Sequence, residues 1–201
     1  MLGRLADCPT TRSHVAGLVD RLAEDVRSRA TAAVPDRGPA DPAALEAAVR
    51  DLLALKLTAG RLPQAILPFA QLEADVIHLL TGLFLPAATE RILRLTPADL
   101  TDLQQPDIRH LAAALASLAR SRRLFRALDV MPDYEKALIA LTGAVSRRLG
   151  DLATIAAHLP ADERRTALST LDETLGMLHL IAPPARLRPV RDHIEHLAGA
   201  A

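Results

Sequence analysis

The stretch PDYEKALIALTGAVSRRLGDLATIAAHL, residues 132–159, decides the fold. Its apolar side chains Tyr134, Leu138, Leu141, Val145, Leu149, Leu152 and Leu159 return every three or four positions, which places them on one stripe of an α-helix. Pro132 suits the first turn of such a helix, where the amide hydrogen it lacks has no partner to lose. Gly150 is the one weak point in the run.

The same logic extends in both directions. Upstream, Pro106 opens a helix with Ile108, Leu111, Leu115, Leu118, Phe125 and Leu128 inward. Downstream, Asp162 and Glu163 sit well at a helix start, and Leu168, Leu171, Leu175 and Leu178 alternate by three and four like a short coiled-coil seam. Pro183-Pro184 is expected to end that helix, and a last short one to start at Pro189 with Val190, Ile194 and Leu197 inward. Towards the N-terminus, Thr10 and Thr11 are candidate caps for a helix running to about Ala33, with Val15, Leu18, Val19, Leu22 and Val26 on its apolar face. The segment Pro35 to Pro39 breaks helix. Asp41-Pro42 then caps and opens another helix, lined by Leu45, Val49, Leu52, Leu53 and Lys56, with Gly60 as its stop. A third helix is expected from near Pro68 to Leu85, ended by Pro86, followed by a short helix to Leu95 and a turn at Thr96 to Asp99.

These elements predict an all-α fold, an antiparallel helical bundle of about six main helices plus short connecting helices. The expected organisation is a single domain over residues 1–201, with 1–34 as a semi-detached N-terminal helix and 35–40 as a linker. Composition agrees: half of the 201 residues are apolar, mainly Ala and Leu, while aromatics are 2%. Sheets draw on the opposite set of residues. No internal repeat of fixed period supports a solenoid.

Basic and acidic residues balance at 24 each, so no net field draws the whole chain to nucleic acid or to an anionic membrane. Lys56 and Lys136 are the only lysines, and this arginine and alanine usage reads as a GC-rich bacterial coding bias. Cys8 is the lone cysteine and excludes an internal disulfide. Leu5-Ala6-Asp7-Cys8 lacks both the apolar run and the small residue of a lipoprotein box. The most apolar stretch, Val76 to Ala88, is shorter than a bilayer span, so the expectation is a soluble, cytoplasmic chain.

Glu73 is the most unusual residue by position, because a wheel through Phe69, Leu72, Val76, Leu80 and Leu83 places its carboxylate near the middle of an apolar stripe. A buried charge takes a partner or a proton. Two Asp-x-x-His pairs, Asp75 with His78 and Asp107 with His110, offer nitrogen and oxygen ligands for a metal if they face each other. That pattern is similar to the sites of ferritin-like bundles but lacks their Glu-x-x-His pairs and further inward glutamates. His78-Leu79-Leu80-Thr81-Gly82 loosely resembles a histidine phosphotransfer helix, in which an exposed His precedes a Gly by four positions. Thr81 stands where that helix carries Lys, so the cation that would steady a phosphoryl group is missing. His193 and His196 are one turn apart and suit at most an adventitious metal.

Arg120, Arg122, Arg123 and Arg126, with Arg109 earlier on the same helix, form the strongest local charge feature. No aromatic residue is interleaved to stack bases, so the patch reads as a solvated face or as a set of salt bridges to acidic partners. The chain has no glycine-rich phosphate loop, nucleophile elbow or cysteine cluster.

The resulting expectation is a non-catalytic bundle, without a cofactor, acting through a protein partner or self-association in an adaptor, regulatory or assembly role. Leu168, Leu171, Leu175 and Leu178, and the stretch Val76 to Leu85, are the expected contact surfaces. Neither membrane nor nucleic acid is expected as a partner. The alternative is a small-ligand or metal-binding bundle built on Glu73 with His78, Asp75, Asp107 and His110.

Overall fold

The computed structural model describes residues 9–34, 41–59, 66–104 and 107–199. Among them there is no strand, and the chain forms seven helical runs. Helix α1 spans Pro9–Ala33, α2 Pro42–Ala59 and α3 Ile66–His78. A π-helical segment, Leu79–Phe84, leads without a break into α4, Leu85–Leu95. Helix α5 spans Ile108–Ala127, α6 Met131–Ala156, α7 Ala161–Met177 and α8 Pro184–Gly199. The expected linker at 35–40, the stop at Gly60 and the opening Pro106 lie outside the described residues.

Packing divides the chain into two compact units: one runs to Phe84 and includes Leu124–Asp129, and the other comprises Leu85–Arg123 and Val130 onward. In the first, α1 lies along α2 and α3. Small residues, Ala23, Ala30 and Ala33 of α1 and Ala48 of α2, are buried beside Val26, Leu45, Val49 and Leu52, which lets the helices approach closely. Asp41 caps α2 as its sequence suggests, its Oδ1 accepting from the amides of Ala43 and Ala44 at 2.9 and 3.1 Å. Thr10 and Thr11 fall inside the first turn of α1 rather than ahead of it, because that helix begins at Pro9.

The apolar face read along α1 is covered only in part. Val26 is buried, but Leu18 and Leu22 are 52% and 41% exposed. The ion pair of Arg29 with Asp51, at 2.6 Å, sets the register of the α1–α2 hairpin. Leu57, near the end of α2, is 78% exposed.

In the second unit α6 packs on α4, α7 and α8, and α7 on α8. The stripe over residues 132–159 is its centre: Tyr134, Leu141, Val145, Leu149 and Leu152 are buried, Leu138 is half-buried, and the helix ends before Leu159. Tyr134 donates its hydroxyl to the carbonyl of Leu118 at 2.8 Å. Burial pushes this phenol up to about 12, with the nearby charge of Arg122 pulling weakly the other way. Arg148 reaches from α6 to the end of α4 and donates to the carbonyls of Leu93 and Thr96, at 2.7 and 3.3 Å. It satisfies acceptors that the helix end leaves open and meets the negative end of its dipole.

Two proline expectations are corrected. Pro86 does not end the third helix, since the π turn delivers the chain so that α4 restarts at Leu85 with Pro86 in its first turn. There the missing N–H forfeits no bond within α4. The last helix starts at Pro184 instead of Pro189, which lies inside it. Pro184 takes the favourable first position, and the amide of Arg186 closes the turn onto the carbonyl of Pro183 at 3.0 Å.

With the helix continuous past Pro86, Phe69–Leu95 is one 27-residue run that is long and apolar enough, by length and composition, to cross a membrane. The expectation counted only the apolar stretch Val76 to Ala88 as a candidate span, and the continuous helix extends it on both sides. A third of its most apolar window is buried inside the fold.

Candidate functional site

Glu73 is held by a cation from the neighbouring helix. Both carboxylate oxygens accept from Lys56 Nζ, at 2.7 and 2.6 Å, and the Glu73 side chain retains 24% exposure against 51% for Lys56. The buried face of α3 is centred on Leu72 and Val76, which leaves Glu73 on the flank of the stripe. Lys56 runs its apolar stem along α2 and ends at this carboxylate, which answers both oddities of the sequence with one ion pair.

Asp75 is tied differently. Gln71 donates to one oxygen at 2.9 Å and Arg27 Nε to the other at 2.9 Å. The Gln71 hydrogen bond first, and then Arg27, hold the carboxyl below its ordinary value, while the same contact raises Arg27. His78, one turn on, is exposed, and its ring lies over Gly82: a Cβ there would come within 3.1 Å of the His78 Cε1. Glycine is what allows this close approach. Thr81 donates back to the carbonyl of Ile77 at 2.9 Å.

Asp107 and His110 pair with each other at the start of α5, Oδ1 to Nδ1 at 2.6 Å, both largely exposed. His193 meets only the hydroxyl of Thr154, at 3.1 Å, and His196 is exposed. Among the described residues no three His, Cys, Asp or Glu side chains are placed to share a metal ion. Asp75 is held by Gln71 and Arg27, and Asp107 by His110.

The second unit has a shallow open cleft of about 420 Å³ between the turn after α4 and the start of α7. Leu103 and Ala167 floor it, and Asp162 and Glu163 stand at its rim. Those carboxylates are also what a helix start favours, so the cleft acquires acidity without a ligand having to explain it.

The leucine seam is corrected as a contact surface. Leu168 is 2% exposed and Leu171, Leu175 and Leu178 are fully buried, because α6 and α8 pack over that face of α7. In the stretch Val76 to Leu85, Val76, Leu79, Leu80, Phe84 and Leu85 are buried, and Leu83 is the large apolar side chain left exposed.

Helix α5 differs from all of these. Between Ile108 and Ala127 it carries Arg109, Arg120, Arg122, Arg123 and Arg126 and no acidic residue. All five arginines are exposed. Arg27, Arg29, Arg50, Lys56 and Arg94 each hold a carboxylate, while Arg109, Arg120 and Arg126 have no ion-pair partner among the described residues. Intrahelical pairing is closed to them, since an arginine needs an acid three or four positions away. The sequence singles out this patch by its composition, five arginines on one helix without an acid.

Compared with known protein families, characterised proteins and solved structures, the chain matches none of them.

Proposed function

We propose that this chain works as a non-catalytic helical protein that acts by protein contact, in an adaptor, regulatory or assembly role, and that α5 presents the contact face. The observation that carries the reading is an exposed helix face with arginines and no acids, in a chain whose basic and acidic residues balance at 24 each as a whole. Exposed arginine is favoured at contact surfaces, because its planar fork donates several hydrogen bonds to one carboxylate at modest entropic cost. Of the polar residues suited to a ligand or metal, Glu73 and Asp75 are bound to cations of neighbouring helices and Asp107 to His110, which weighs against that alternative.

The test is affinity purification from the native host with the wild-type chain and with a variant carrying Arg109→Ala, Arg120→Ala and Arg126→Ala. A protein retained by the wild type and lost with the variant, at unchanged helicity, is the expected result. Equal retention by both, or no retained protein, sinks the reading.

A further inference from the structure

The exposed surface of α5 has a finer pattern than charge alone. Arg109, Ala113, Ala116 and Arg120 follow one another at spacings of four, three and four, the spacing of a helix-packing seam. Arg109, Ala113 and Arg120 are exposed and Ala116 is half-buried, so the row faces outward along α5. Eleven residues separate the two arginines, three full turns, which puts their Cα atoms about 16 Å apart along the axis. Between them the surface drops to two methyl groups. Arg123 continues the row but is already engaged within the chain.

We propose that this row is the docking seam for an acidic helix of a partner protein, one that lays its backbone close over Ala113 and Ala116 and offers carboxylates to Arg109 and Arg120. The inference rests on the protein-contact reading above and specifies the partner's chemistry. Small residues at the centre of a seam permit close approach of a second helix, and guanidinium groups at its ends donate bidentately to carboxylates. Carboxylates three turns apart on one face match the two arginines in both position and sign. A phosphate backbone would be drawn by the same charge, but it gains nothing from the methyl floor, and α5 carries no aromatic side chain except Phe125, which is fully buried. The geometry therefore favours a helix over a nucleic acid.

The experiment measures binding of the full chain to a synthetic helical peptide with two glutamates eleven residues apart and alanines between them. The controls are the same peptide with glutamine at both sites and a short DNA duplex. The expected result is binding of the glutamate peptide that weakens with salt and falls at least about tenfold with glutamine. Arg120→Glu should lower affinity by a similar factor. Ala116→Leu leaves charge unchanged and raises the seam floor; it should also weaken the glutamate peptide several-fold, a loss that attraction by charge alone does not produce. Circular dichroism checks that both variants stay folded.

Equal binding of both peptides, indifference to Ala116→Leu, or DNA bound in preference to the glutamate peptide overturns the seam. So does failure to bind the glutamate peptide at all. The protein-contact reading survives that last result if the host purification still yields a protein lost with the arginine variant, so the two failures are distinguishable.

Discussion

The two units solve the same packing problem with different materials. In the first, α1 and α2 bury Ala23, Ala30, Ala33 and Ala48 among larger apolar side chains, the helices are joined at the periphery by Arg27 with Asp75, Arg29 with Asp51 and Lys56 with Glu73, and Leu18, Leu22 and Leu57 are left outside. In the second, long leucine stripes interlock around α6, and two polar devices reach inward: the Tyr134 hydroxyl on a carbonyl of α5, and Arg148 on the end of α4. Exposed ion pairs contribute little and weaken in salt, whereas buried methylenes contribute steadily. The contrast lies in the polar contacts each unit adds to its apolar core: a set of peripheral ion pairs in the first, side chains bonded to backbone carbonyls in the second.

The strongest way to break this contrast is Leu171→Ala. Leu171 is fully buried in the second unit, and the truncation should cost about 3 kcal/mol, read from the shift of the urea midpoint. A loss below about 1 kcal/mol would mean that the stripes are loosely filled. Next in size is an alkaline effect on the second unit. The Tyr134 phenol is held up to about 12 from 10.0. A folded value above the unfolded one means that the stabilisation is complete below pH 10 and is lost as pH rises towards 12. Stability should fall by about 2 kcal/mol over that window, and Tyr134→Phe should remove the dependence. The smallest effect belongs to the first unit. Glu73→Gln should change stability by less than about 1 kcal/mol, less still in high salt, because its partner is half exposed. A loss above about 2 kcal/mol would show that this pair is a buried charge and not a peripheral pin.

Much of the fold is legible in the sequence, because helix-forming residues, a 3.6-residue apolar period and cap-then-proline signals agree at each level. Asp41-Pro42 and the stripe of α6 are cases where local chemistry and packing give one answer. The errors have identifiable causes. Pro86 reads as a boundary, yet a proline in the first turn of a helix costs almost nothing, and the π turn supplies such a start inside a longer run; Pro189 reads as a start, yet Pro184 already takes the first position and Pro189 lies inside the helix. Leu18 and Leu22 fit the α1 stripe as well as Val26 does, and no periodicity reveals that they stay exposed while Val26 is buried. The candidate site divides the same way. The wheel flagged Glu73 as a charge among apolar neighbours but could not supply Lys56, which is remote in sequence and comes from another helix. The α5 arginines were visible as a cluster, and the missing acids are plain in the sequence, but which cations remain unpaired is decided by tertiary contacts.

Tyr134 also makes the molecule its own reporter. It is the only tyrosine, and the chain has no tryptophan, so intrinsic emission arises from one fully buried ring in the second unit. Far-ultraviolet ellipticity, by contrast, sums the helices of both. A melt followed by emission and by ellipticity should superimpose if the units unfold together, and should separate if the first melts on its own.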